Sequence, residues 1–393
     1  MNKKTVKDYD FQGKTVLLRA DLNVPIRNGE ITDDTRIRAS LETIQYLKEQ
    51  GARIVLCSHL GRPKGEFNLK YSLEPVAKYF NEKTGIPVIF AHDVICENAQ
   101  SKVCDLKPGE VLLLENLRFH KEEEKNDPEF AKKLASYADV YVNDAFGAAH
   151  RAHASTEGVT HYFKDNLMGF LMEKELNELS KLESPEKPFV AILGGAKVSD
   201  KIGVVKSLMN KADSIIIAGG MAYTFVKAMG GKIGHSLCED DKLDLAKEIL
   251  KEASEKGVKL LFPVDTIAAK EFSNESPSAV FLTSEIPDDY EGLDIGEKSC
   301  ELFIEELSRA KTVFWNGPMG VFEFSNFAKG TNAIARGLAE SGAYAIIGGG
   351  DSASAVSKLD CADRFYICTG GGASLEYLEN GSLPAIEALN NRD

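Results

Sequence analysis

The chain is short of positive charge: 47 lysines and arginines stand against 60 aspartates and glutamates, a net charge of −13 over 393 residues. A general nucleic-acid binder needs a broad positive face, so that class is excluded. Any anionic ligand must be held by a local basic cluster. No apolar run approaches the ~18 residues that span a bilayer, and the opening stretch from Met1 to Gln12 is too polar for a secretory signal. Seven cysteines, at 57, 96, 104, 238, 300, 361 and 368, form no C-x-x-C pair. An odd count without metal-ligand spacing reads as reduced thiols in a reducing compartment. Three nucleotide signatures are missing as well. There is no G-x-x-x-x-G-K-[ST] loop, no H-R-D catalytic loop of protein kinases, and no G-x-G-x-x-G after the first strand. The expectation is a cytoplasmic globular protein.

What is present has a simple rhythm. At 393 residues, 43% of them apolar, the chain is too long for one ordinary core, so two domains are expected. Short apolar runs recur: residues 15–19, 53–57, 87–90, 111–114 and 140–142, then 189–193, 214–218, 259–262, 312–315, 344–347 and 365–368. Helical periodicity lies between them at 37–50, 73–83, 128–138, 201–211, 241–256 and 329–341. Strands alternating with helices predict parallel sheets covered on both faces. Two such sets predict two doubly wound, Rossmann-like α/β lobes. The amphipathic stretch from Gly169 to Leu182, followed by Ser184-Pro185-Glu186-Lys187-Pro188, predicts an interdomain helix. The domains are therefore expected at 1–169 and 184–374, with the helix at 170–183 and a C-terminal segment at 375–393. A short helical pattern lies at 383–389, and its host lobe is not readable.

Open parallel sheets bind ligands at the carboxyl ends of their strands. In the first half those ends carry Arg19-Ala20-Asp21-Leu22-Asn23-Val24-Pro25, Ser58-His59-Leu60-Gly61-Arg62-Pro63, Glu115-Asn116-Leu117-Arg118 and the stretch from Asn143 to His153. Arg36 and Arg38 open the next helix. One loop arginine is usually a surface charge and one histidine usually structural. Their recurrence at adjacent strand ends of an acidic chain predicts a focused positive pocket. The planar guanidinium fork suits phosphate and carboxylate. Asp21 and Asn23 fit either a ligand hydroxyl or a plain turn.

The second half supplies glycines instead: Gly194-Gly195-Ala196-Lys197-Val198-Ser199-Asp200-Lys201, Gly219-Gly220, Trp315-Asn316-Gly317-Pro318, Gly348-Gly349-Gly350-Asp351-Ser352 and Thr369-Gly370-Gly371-Gly372-Ala373-Ser374. Glycine lets backbone N–H groups approach phosphate, and a helix that follows adds its positive end. Lys197 and Lys201, four apart, would share one face of a helix beginning there, around an anion or simply in solvent. Asp351 is placed for Mg²⁺ or for a helix cap, and Ser352 for phosphate or the same cap. A basic small-anion lobe and a glycine-rich nucleotide lobe together point to phosphoryl transfer.

These motifs, running in order from residue 19 to residue 374, resemble the phosphoglycerate kinase family. The resemblance implies a glycolytic, Mg²⁺-dependent phosphotransferase acting between ATP and 3-phosphoglycerate. It implies that Asp21, Asn23, Arg36, His59, Arg62, Arg118 and Arg151 bind 3-phosphoglycerate. Arg36, Lys197 and the amides of Gly371 and Gly372 would act on the transferring group. Lys201, Gly349, Gly350, Asp351 and Ser352 would meet nucleotide phosphates, with Asp351 on the metal. Glu323 would hold the ribose, and Gly195, Ala196, Gly219, Gly220 and Gly292 the adenine. A monomer is expected, with neither a nucleic-acid nor a membrane partner. Donor and acceptor on different lobes imply hinge closure before in-line transfer. Small-angle scattering should then show more compaction with both substrates than with either alone. The rival readings are a non-catalytic two-lobed small-anion binding protein, which two distinct anion sites disfavour, and a dehydrogenase, which the missing fingerprint disfavours.

Overall fold

The computed structural model describes residues 2–392. The chain divides into one compact unit of residues 1–177 with 382–393, and another of residues 178–381. Each is built around a six-stranded parallel sheet.

In the first unit the strands are β1 (Thr15–Ala20), β2 (Arg53–Cys57), β3 (Val88–Phe90), β4 (Val111–Leu113), β5 (Val140–Asp144) and β6 (Asn166–Met168), in the order β3-β4-β2-β1-β5-β6. All pairs are parallel. Every residue of β1 and β5 is buried, as expected for strands covered on both faces. The helix Thr35–Glu49 shows why: Ile37, Ser40, Ile44 and Leu47 recur at helical spacing, are buried, and form the stripe laid on the sheet. The chain changes direction along the sheet at β1, whose carboxyl end lies between those of β2 and β5.

In the second unit β7 (Phe189–Leu193), β8 (Ser214–Ile217) and β9 (Lys259–Leu261) run outward from the centre. A three-stranded antiparallel sheet follows, of β10 (Asp265–Ala269), β11 (Ser278–Leu282) and β12 (Glu291–Ile295). The main sheet resumes with β13 (Thr312–Asn316), β14 (Tyr344–Gly348) and β15 (Tyr366–Ile367), giving the order β9-β8-β7-β13-β14-β15. The reversal here lies between β7 and β13, which pair directly. Two doubly wound α/β lobes with parallel sheets are therefore what the chain forms.

All eleven apolar runs are strands. The sequence reading lacks β6, only three residues long, and the antiparallel sheet. In β11, exposed and half-buried residues alternate and Val280 and Leu282 face solvent, so no apolar run betrays it. The expected boundary at 374 falls inside the helix Gly372–Asn380, which stays with the second unit to Gly381. The pattern at 383–389 becomes the helix Pro384–Glu387 in the first unit. It is tied there by Ala385 N–H to the Ala149 carbonyl at 3.1 Å, and by Asn166 N–H to Asn390 Oδ1 at 2.5 Å.

Candidate active site

At the carboxyl end of β1 the chain turns, and the turn residues do two jobs. Asp21 Oδ1 accepts from Asn23 N–H at 3.1 Å, which shapes the turn, and also faces Arg36 Nη1 at 3.3 Å. Arg36 Nη1 donates to the Asn23 carbonyl at 3.0 Å as well. Asn23 Oδ1 in turn accepts from Gly61 N–H at 2.8 Å, so the loops after β1 and β2 are stitched together. Arg118 joins them by donating to the Gly61 carbonyl at 2.9 Å. Asn116 fixes the loop that carries it, donating to the Leu60 carbonyl at 2.7 Å and accepting from Arg118 N–H at 3.0 Å. Arg62 and Arg151 are exposed beside these loops, with Arg151 Nε on His150 Nε2 at 3.1 Å. Arg38 stays apart: it is exposed and paired with Asp34 at 2.6 Å.

The charge of this cluster comes from arginine alone. Burial pushes His59 well below the usual histidine range, and Arg19, Arg118 and Arg36 push the same way. His153 falls to about 3 by burial and by Arg118, Arg19 and Arg151. His150 is lowered by burial and Arg151. These three rings are neutral at pH 7, contrary to the expectation that histidines supply positive charge. A cluster of guanidinium groups holds its charge across the physiological range. Sequence reasoning counted Arg19 only among the strand-end arginines and assigned no role to Ser155 or Glu123; all three are fully buried. Glu123 sits in the run Glu122-Glu123-Glu124, where a solvated surface is the natural reading, and no local signal separates the middle residue.

In the second unit the glycines allow three loops to close on one another. Gly194 N–H bonds the Asn316 carbonyl at 2.8 Å, and Gly219 N–H bonds the Met319 carbonyl at 3.1 Å. A Cβ on Gly194 would lie 2.1 Å from the Pro318 oxygen, and one on Gly219 2.6 Å from Gly195 N. Where these loops meet, a cavity of about 310 Å³ opens. Gly195, Ala196, Gly219, Gly220, Gly292, Glu323 and Asp351 line it, all nucleotide candidates from the sequence. Pro318, from the Trp315–Pro318 motif, joins the wall, and Tyr223, Leu237, Phe272 and Glu291 are among the lining residues that only the fold brings there. The walls are apolar and the charged lining is Glu291, Glu323 and Asp351, which suits a ligand offering hydroxyl and amino donors.

The remaining candidates lie on the loops and helix starts of the same unit. Lys201 Nζ donates to the Asn316 carbonyl at 3.1 Å and to Asn316 Oδ1. Burial lowers it to about 8, against the pull of Asp351 and Asp200. Lys197 is exposed in the loop, and the helix begins only at Ile202 with Lys201 as its cap, so the two lysines do not share a helix face as expected. Gly349 caps the helix Gly350–Val356, which places Asp351 in its first turn, exposed. Ser352 is fully buried, and its Oγ accepts from Gly317 N–H at 2.5 Å. Gly371, at φ +52°, caps the helix Gly372–Asn380. Ser374 Oγ, bonded to the Gly371 carbonyl at 2.7 Å, would be 3.1 Å from a Cβ on Gly348, so the last two glycine loops adjoin.

Comparison with known proteins identifies the family. A family profile described as phosphoglycerate kinase matches residues 6–381. The phosphoglycerate kinase of Koribacter versatilis is 56% identical over 403 residues, covering all of both chains. That of Clostridium tetani is 53% identical over 395 residues, covering all of this chain and 98% of the relative. Among solved structures, phosphoglycerate kinase from Coxiella burnetii superposes with a TM-score of 0.86 at 42% identity, over 98% of each chain. The Pyrococcus horikoshii enzyme gives 0.86 at 34% identity, again over 98% of each.

Proposed function

This chain belongs to the phosphoglycerate kinase family, and from that premise we propose that its first unit binds 3-phosphoglycerate and its second ATP, through the residues described above. It is a phosphotransferase of glycolysis, and a nucleotide is one of its substrates. The observation that carries the assignment of sites is the pairing of chemistries at the two sheet reversals. An arginine cluster stands at one, and a glycine-walled cavity with carboxylates at the other. A phosphate and a carboxylate on one small molecule call for several permanent cations. Asp21, Asn23, Arg36, His59, Arg62, Arg118 and Arg151 supply these and the hydroxyl contacts.

In the second unit Glu323 accepts from ribose hydroxyls, while Gly195, Ala196, Gly219, Gly220 and Gly292 admit the flat base. Lys201, Gly349 and Gly350 meet phosphate. Buried Ser352 acts by holding Gly317 N–H. Asp351 fits Mg²⁺ in one specific sense. Among the described residues no group of three histidine, cysteine or acidic side chains is set to hold a metal. Asp351, one exposed carboxylate in the first turn of the helix Gly350–Val356, matches an ion carried mainly by phosphate oxygens and water. Bound there, Mg²⁺ would neutralise charge on those oxygens. In the reaction the bond between the γ-phosphorus and its bridging oxygen breaks as one forms to a carboxylate oxygen. No enzyme side chain is phosphorylated. Arg36, Lys197 and the amides of Gly371 and Gly372 hold the moving group in line and offset its charge.

A coupled assay with 3-phosphoglycerate, ATP and Mg²⁺ tests this directly. ATP consumed only with 3-phosphoglycerate present is expected; no such dependence would refute the reading. We also propose a monomer, and a cytoplasmic location that is supported by thiols at Cys57, Cys96, Cys104, Cys238, Cys300 and Cys361 that form no disulfide. No helix among the described residues is long and apolar enough to cross a membrane.

Lys201 makes a further prediction. Its folded value of about 8 lies below the ordinary 10.5. Between those values the unfolded chain holds a proton that the folded chain has lost, so stability should rise with pH across that window. A phosphate beside the amine restores its proton. ATP binding near pH 8.5 should therefore take up protons, seen as a binding enthalpy that depends on buffer ionisation. Lys201→Met should abolish the dependence. If the mutant kept the full uptake, phosphate contact by Lys201 would be ruled out.

A further inference from the structure

Under the first unit's loops runs a chain of fully buried polar groups that phosphoryl transfer itself does not use: Glu123, Ser155 and Arg19. Glu123 Oε1 accepts from Ser155 Oγ at 2.5 Å, and Oε2 accepts from Ser155 N–H at 3.0 Å. With its proton committed, Ser155 Oγ turns a lone pair to Arg19 Nε at 2.8 Å. Arg19 Nη1 donates to the Ala20 carbonyl at 2.5 Å, and Nη2 stands 3.1 Å from His59 Nδ1. A guanidinium only donates and keeps its charge. His59 Nδ1 must therefore be the acceptor, and the ring's proton sits on Nε2.

We propose that Glu123, acting through Ser155 and Arg19, is a positioning residue that locks His59 as a neutral ring protonated on Nε2, so that His59 meets the anionic substrate as a hydrogen-bond donor and not as a cation. The substrate part rests on the reading of the first unit as the 3-phosphoglycerate site. The surroundings agree. Arg19, Arg36, Arg118 and His153 face the ring and oppose a second proton on it. Besides Glu123, two carboxylates are paired with arginines of this group. Asp21 faces Arg36 at 3.3 Å and Glu124 faces Arg118 at 3.6 Å. Glu123 also answers the buried charge of Arg19, which without a counterion would be costly.

The test begins with the ¹⁵N side-chain spectrum of the substrate-free enzyme. His59 should show one neutral tautomer, protonated on Nε2, with no titration from pH 5 to 8. In Glu123→Gln the Arg19 fork loses its anchor and a mixture of His59 tautomers should appear. The KM for 3-phosphoglycerate should rise about five- to tenfold, the worth of one hydrogen bond, with kcat and the KM for ATP within about twofold. Should Glu123→Gln fail to fold, Ser155→Ala cuts the same chain at one hydroxyl, and Ser155→Thr should restore it. An imidazolium or an Nδ1–H tautomer in the wild type would overturn the proposal. So would an unchanged His59 spectrum in folded Glu123→Gln and Ser155→Ala. The spectrum needs no substrate, so it judges the relay alone. The expected spectra with an unmoved KM for 3-phosphoglycerate would uphold the relay and count against that ligand's assignment to this unit.

Discussion

Lys197→Ala should lower kcat by at least about 10²–10³ in both directions while leaving the melting curve in place. The side chain is exposed on the loop between β7 and the helix Ile202–Leu208. Removing such a group shifts stability by no more than about 0.5 kcal/mol. Its ammonium has another use in the proposed reaction. The moving phosphoryl group carries negative charge on its outer oxygens, and a cation about 4 Å away contributes roughly 4 kcal/mol at an effective dielectric near 20. A contact made mainly in the transition state lowers kcat and kcat/KM together and spares the KM for ATP. Arg36→Ala should show a similar kinetic loss with a different stability signature. Arg36 also holds Asp21 and the Asn23 carbonyl, so its removal loosens the first turn as well. Near-normal turnover in Lys197→Ala, by steady-state assay beside a melting curve, would remove this lysine from the mechanism.

The contrast between Lys197 and Lys201 shows where sequence stops informing. Spacing of four suggested one helix face, but the chain from Gly194 to Lys201 remains a loop because its glycines must close on Pro318 and Asn316. Lys201 is drawn in as a cap while Lys197 stays in solvent. The strands were legible because a strand buried on both faces is a continuous apolar run, as in Phe189–Leu193. The antiparallel sheet was not, since one face of Ser278–Leu282 is wet and its hydrophobicity is diluted. That sheet nevertheless brings Glu291 and Gly292 to the cavity. Glycines and arginines at strand ends were visible as residues. The neutrality of His59 was not, because it follows from burial and from Arg19, which meet it only in the fold. Local pattern reports what a segment buries; long-range contact decides what its polar groups do.

Gly317→Ala should cost about 2–5 kcal/mol of stability and empty the proposed nucleotide site. Gly317 sits where β13 ends beside β7, at φ +98°, a conformation that disfavours any side chain. A Cβ there would lie 2.3 Å from both the carbon and the oxygen of Gly194. Those are backbone atoms of the neighbouring loop, so no side-chain rotation relieves the clash. Left-handed strain adds roughly 1–2 kcal/mol, and overpacking roughly 1–3 more. Relief requires moving the Gly194–Gly195 loop off Pro318, and that closure shapes the cavity. The same shift pulls Gly317 N–H from Ser352 Oγ and loosens the Asn316 contacts that hold Lys201. Calorimetric unfolding and ATP titration together should therefore fail in parallel, with 3-phosphoglycerate binding spared if the first unit folds on its own terms. A Gly317→Ala enzyme with wild-type melting and ATP affinity would mean that the two loops are not in contact in solution, and the cavity assignment would go with them.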